Sequence, residues 1–290
     1  AVSLSSSRTF RKNHDSFEVN RRWMYNIFSR TTALLRGAAL PVKRRVPCPL
    51  SYAEDKELIG QMDFSIHMWM RDYQKTIERQ FGNRIWFIGL QGSYGRGEAT
   101  EQSDIDVVLI LDHVSAEDLQ AYSRLLDALP NRKKVCGFVS GKEELLAWEP
   151  ADLFQFYYDT APIVGSLDSL LKCIRLEDVC RAIRMGACNV YHMCVHNMVH
   201  EKSADILKGL YKSAAFTLQA IAFLQTGNYE KQKTVLKSRL QPKDRCILEI
   251  GMDLKRKDTV SNTELIEFSA FLLDWASEWI RRCKGVHGES

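Results

Sequence analysis

Between residues 85 and 111 two apolar runs enclose a glycine-rich turn, and this arrangement restricts the possible folds more than any other feature of the chain. Residues 85–90 (IWFIGL) and 104–111 (DIDVVLIL) are short and rich in branched and aromatic side chains, so both read as buried β-strands. Between them runs Gly92-Ser93-Tyr94-Gly95-Arg96-Gly97-Glu98-Ala99-Thr100-Glu101-Gln102-Ser103. A glycine at 92 lets backbone N–H groups approach a ligand closely, and Gly95 and Gly97 keep the turn open. A turn of exposed N–H groups is an anion-binding nest. Ser93 adds a hydroxyl donor, and Arg96 adds a planar charged fork suited to phosphate oxygens.

The second run opens with Asp104 and Asp106. Strand side chains alternate with period two, so both carboxylates project from one face. Two like charges at the edge of an apolar sheet are best accounted for by a cation between them. Hard oxygen ligands of this kind suit Mg2+, which is usually held by one or two carboxylates together with substrate phosphates. Seven specified positions (Gly92, Ser93, Arg96, Gly97, Ser103, Asp104, Asp106), each with a usage near one in fifteen, coincide by chance at about 10^-8 per start site. A phosphate nest beside paired carboxylates points to metal-assisted chemistry on a nucleotide.

The pattern G-S-x-x-R-G followed by S-D-I-D resembles the polymerase-beta-like nucleotidyltransferase superfamily, above all its small bacterial branch of minimal and antibiotic nucleotidyltransferases. The resemblance is specific over residues 84–112, looser over 140–166, and only architectural beyond. It implies an α+β fold: a small mixed nucleotidyltransferase sheet with flanking helices, followed by a C-terminal all-helical domain. It also implies Mg2+-dependent transfer of a nucleoside monophosphate, AMP from ATP by preference, to a hydroxyl acceptor on a small molecule or protein, with release of pyrophosphate. On this likeness Gly92 and Ser93 hold the triphosphate, Arg96 supports the loop or the phosphates, and Asp104 and Asp106 are the catalytic, metal-binding pair. The family usually adds a third carboxylate on a later strand. Here the expected strand, 135–140, reads Val-Cys-Gly-Phe-Val-Ser and has no acid; Glu143, Glu144 and Asp152 are near in sequence but fall in helical candidates. That departure keeps a second reading open: a nucleotide-binding regulatory or antitoxin-type protein with weak or no turnover.

The rest of the chain divides by pattern. Residues 1–50 hold ten Lys and Arg against two acids, a charge of +8, so the remainder of this +4 chain is −4. Residues 1–51 are expected to be a basic, disordered extension, 52–166 the nucleotidyltransferase domain and 167–285 the helical domain. A capping signature at Ser51 and Glu54 introduces a helical pattern through Leu58, Met62, Ile66, Trp69, Met70, Tyr73 and Ile77. Later helices are expected over 117–129, 177–202, 204–226, 230–239 and 263–283, with breaks at Gly227-Asn228 and Gln241-Pro242.

The mildly acidic body argues against a nucleic-acid acceptor. No apolar run approaches the ~20 residues of a bilayer span. Eight cysteines without a C-x-x-C pair suit reduced thiols in a cytoplasmic protein. Lys208, Tyr211 and Lys212 share a helical turn, and Lys208 is a candidate to face the triphosphate. Cys188, His192, His196 and His200 recur every four residues and form a half-buried face, a metal stripe or a wall of the acceptor cleft. Trp275 and Trp279 belong to the core or to a homodimer face.

Overall fold

The computed structural model describes residues 64–283. The basic extension and the Ser51 capping signature lie outside that range. The first described helix, α1 (Ile66–Phe81), is capped by Ser65, whose hydroxyl accepts from the Met68 amide at 3.4 Å. Its buried side chains Trp69, Met70, Tyr73, Ile77 and Phe81 follow helical spacing.

Four strands form one mixed sheet in the order β3-β2-β1-β4. They are β1 (Ile85–Gln91), β2 (Ile105–Leu111), β3 (Val135–Gly141) and β4 (Ala161–Val164). β1 runs antiparallel to β2 and β4, while β2 and β3 are parallel. A parallel pair needs a crossover, supplied here by α3 (Ala116–Asp127), which Ser115 and Asp118 start with a capping box. The apolar runs of β1 and β2 lack polar alternation because both faces of the sheet are covered. Ile88, Leu90, Ile105, Val107, Leu109 and Leu111 pack with α1 and α3. Phe87, Val108 and Ile110 pack on the opposite side, in one core shared with the C-terminal helices.

Between β3 and β4 lie α4 (Lys142–Leu146) and α5 (Pro150–Asp159). The helical layer comprises α6 (Leu176–His196), α7 (Ala204–Thr226), α8 (Lys233–Arg239), α9 (Pro242–Arg256) and α10 (Asn262–Arg282). The continuous helix expected over 177–202 instead ends at His196 and passes into a π turn, Asn197–Glu201. The Asn197 side chain fastens that turn, bonding both the amide and the carbonyl of Ser203 at 2.9 and 3.0 Å. Helix α9 is absent from the sequence expectation because Pro242 reads as a breaker. It is the first residue of the helix, where a missing N–H costs nothing and the fixed φ is already helical. Trp275 and Trp279 are core residues: both indole N–H groups donate to Asp244 Oδ1, at 2.8 and 2.9 Å. Among the described residues no helix is long and apolar enough to cross a membrane.

Candidate active site

The glycine-rich stretch is less open than its sequence suggests. Gly92–Arg96 forms one short helical turn, α2, at the end of β1. Gly97 closes it in the left-handed region at φ 71°, and the Glu98 amide donates to the Ser93 carbonyl at 2.8 Å. Ser103 shapes the following turn, its hydroxyl accepting from the Thr100 amide at 2.9 Å. Gly92 itself has φ 65°, and a Cβ there would lie 2.0 Å from Asp106 Oδ2. The start of the glycine-rich turn and one of the paired carboxylates are therefore in direct apposition, and only glycine permits it.

Asp106 is the second residue of β2 and half-buried, while Asp104 stands exposed one residue before the strand. Gln91 of β1 pairs with Asp106, and Asp106 pairs with Cys136 of β3. Paired residues on neighbouring strands share a face, so these three form a row at the loop end of the sheet. The strand position that flanks Asp106, where a third acid would stand, is thus occupied by a thiol.

The three acids near in sequence do not fill this place equally. Glu143 and Glu144 are exposed on α4, which begins where β3 ends, and the Glu144 carboxylate folds back onto Gly141 at the far end of that strand. Asp152 lies on α5, one turn before Phe156, whose ring meets Phe138 edge-on at 5.0 Å. Phe138 follows Cys136 by two residues, on the same face of β3. Trp148 also meets Phe138 edge-on, at 5.5 Å, and hydrogen-bonds Asp152. Burial, and then the neighbouring Glu149 charge, push the Asp152 carboxyl up to about 7.

Arg96 is held in place by protein groups. Its Nη1 donates to both oxygens of Asp159 at 2.9 and 3.2 Å, its Nε lies 3.6 Å from Glu98, and its guanidinium sits over the Phe216 ring of α7. Burial raises the Asp159 carboxyl despite the pull of Arg96. Arg96 thus ties the loop to α5 and α7.

Arg96 also lines a small cationic recess with Lys212, Phe216 and Gln219 of α7, Lys231, and Lys233 and Leu236 of α8. The Lys233 ammonium is pushed below the usual lysine value, first by burial; Glu98 opposes the shift, while Arg96, Lys255 and Lys212 add to it. Lys208 does not line this recess. It stands one turn earlier on α7, donating to the Lys257 carbonyl at 2.8 Å. Lys231 and Lys233 were not singled out in the sequence, where they read as part of an ordinary polar helix. The one available signal was a K-x-K pair just after the Gly227-Asn228 break.

On α6, His192 and Cys188 are exposed, and the His196 ring lies 5.0 Å from that of His200. Among the described residues no three His, Cys, Asp or Glu side chains gather as a metal site. The donor set that suits a hard divalent cation is the Asp104–Asp106 pair.

Residues 71–160 match the family model described as the nucleotidyltransferase domain. They contain most of α1, the glycine-rich turn, the paired carboxylates and β3. Residues 71–160 thus form a nucleotidyltransferase domain. Its fold is similar to that of spectinomycin adenyltransferase AAD(9) from Enterococcus faecialis, solved with ATP and spectinomycin. That likeness has TM-score 0.51 at 12% identity and covers 75% of this chain and 100% of the other. A nucleotidyltransferase-like protein from Exiguobacterium sibiricum 255-15 aligns over 74% of this chain and 77% of its own at 13% identity, with TM-score 0.30. No curated protein matches the chain in sequence.

Proposed function

We propose that the protein moves AMP from ATP to a hydroxyl group of a small molecule or protein, using Mg2+. The observation that carries this reading is the apposition of Gly92 and Asp106, with a cationic recess one helical turn further along at Arg96. Asp104 and Asp106 would hold Mg2+, which when bound neutralises charge on the phosphates. Ser93 donates its hydroxyl to the outer phosphates, and Lys212 and Lys233 supply positive charge to the same end of the nucleotide. The acceptor oxygen bonds the α-phosphorus, the bond from that phosphorus to the bridging oxygen breaks, and pyrophosphate leaves with the electron pair. The acceptor proton passes to a base, for which Asp152 is the candidate among the three nearby acids, or to water. The ATP-bound adenyltransferase of the same fold supports ATP as donor.

A specific observation favours a second reading. Cys136 stands beside Asp106 where the family usually has an acid, so the domain can bind nucleotide and turn it over slowly. General-base contributions are typically about 10^2–10^4-fold, enough to separate the readings. Pyrophosphate release from each of four NTPs, with Mg2+ and a panel of hydroxyl acceptors, tests both. Release dependent on ATP and acceptor supports the transferase. Tight ATP binding with no release from any combination supports the regulatory reading.

A further inference from the structure

Two carboxylates border the cationic recess through the residues that line it, and they are not equivalent. Asp159 is buried and makes two hydrogen bonds to Arg96. Glu98 is half-buried and makes one hydrogen bond, from the Lys233 amide to its Oε1 at 2.8 Å; its approach to Arg96 Nε at 3.6 Å is a charge contact only. Its backbone is fixed, because the Glu98 amide donates to Ser93, while its side chain can rotate away. Four cations, Arg96, Lys212, Lys231 and Lys233, line the recess against these two bordering acids, so the local balance is positive. Lys212 has no carboxylate partner among the described residues.

We propose that Glu98 is a displaceable counter-ion, a carboxylate that sits where the outer phosphates bind, swings out when a nucleoside triphosphate arrives, and returns to help pyrophosphate leave. This rests on the reading above, in which the recess takes the outer phosphates. Like charges exclude one another at this point. A carboxylate and a phosphate cannot both be neutralised by Arg96 and Lys233 at short range, so each weakens the hold of the other. The position in the chain couples the two events. Glu98 is anchored to Ser93, so the residue that would meet the phosphates and the residue that would yield to them move on one backbone. A strut that merely tied the loop to α8 would need the hydrogen bond to the Lys233 amide and not the charge.

The isosteric change Glu98→Gln separates these roles, because the Gln oxygen can still accept from the Lys233 amide. Calorimetry with inorganic pyrophosphate, ATP and AMP, each with Mg2+, reads the result. Glu98→Gln is expected to bind pyrophosphate and ATP roughly three- to tenfold more tightly, with AMP and the melting temperature unchanged. In any acceptor assay KM for ATP falls and kcat falls with it, as product release slows. Glu98→Ala, which loses the hydrogen bond as well, is expected to gain affinity at a lower melting temperature. Unchanged or weaker pyrophosphate binding in both variants overturns the proposal and leaves Glu98 a strut. Lys212→Ala and Lys233→Met test the reading beneath it. If they bind pyrophosphate as the wild type does, the recess does not take phosphate and that reading fails with the proposal; if they lose affinity while Glu98→Gln gains none, only the role of Glu98 fails.

Discussion

Gly92 and Asp106 are packed so closely that a side chain on residue 92 would occupy the position of the Asp106 carboxylate, its Cβ 2.0 Å from Oδ2. The backbone at 92 is also left-handed, at φ 65°. Replacing it with alanine therefore displaces Asp106 and adds about 1–2 kcal/mol of backbone strain. Gly92→Ala is expected to lose Mg2+-dependent ATP binding while keeping its far-UV circular dichroism, with a melting temperature lower by a few degrees. Retained affinity would show that the loop and the carboxylate do not act together.

The thiol beside Asp106 makes a gain-of-function change feasible. Cys136→Glu places a carboxylate on the same face of the sheet as Asp106, next to it in register. The adjacent position cannot serve, since a Cβ on Gly137 would lie 1.9 Å from the Val107 carbonyl oxygen. If the wild type lacks a base, Cys136→Glu should raise the rate of pyrophosphate release by about tenfold or more. If Asp152 already acts as one, Asp152→Asn should lower kcat with ATP affinity unchanged, and Cys136→Glu should leave the rate flat.

Asp152 also marks stability with pH. Its carboxyl titrates near 7 in the folded chain against an ordinary 3.8. Between those values the folded state keeps a proton that the unfolded state has released, so this group lowers stability as pH rises from about 4 to 7, with no further change above. Asp152→Asn removes the effect. Its melting-temperature advantage over wild type should widen between pH 4 and pH 7 and then level off. An advantage independent of pH would show that Asp152 is not perturbed.

Asp244 anchors α9 to α10 by accepting both Trp275 and Trp279. Asp244→Ala leaves two buried indole N–H groups unpaired, at about 1–3 kcal/mol each. The melting temperature should fall by about 5–15 °C. Trp279→Phe, which loses one bond and little volume, should cost less. A fall of under 2 °C in Asp244→Ala would mean that the pairing adds little.

The elements nearest the proposed site were the most legible in sequence. β1 and β2 stand out because they are covered on both faces, and Asp104 and Asp106 because strand spacing alone proposes them as a pair. Roles that depend on distant partners were not legible. Nothing in the sequence joins Arg96 to Asp159, 63 residues on, and no period marks Lys233 of α8 as a neighbour of Arg96. Lys208 illustrates the limit: a helical stripe names a face, but only tertiary packing decides that Lys212, one turn along, is the lysine in the recess. The absence of an acid in β3 was readable, whereas the register that sets Cys136 against Asp106 was not.

In the proposed reaction the bond broken lies at the α-phosphorus, and Asp106 is required to break it. ATP labelled separately at the α- and γ-phosphates, incubated with Mg2+ and hydroxyl acceptors, measures this directly. The α-label is expected to move to an acceptor in step with pyrophosphate release, and Asp106→Asn, folded and melting as the wild type, to transfer none. Transfer of the γ-label, or α-transfer undiminished in Asp106→Asn, would contradict the proposed reaction.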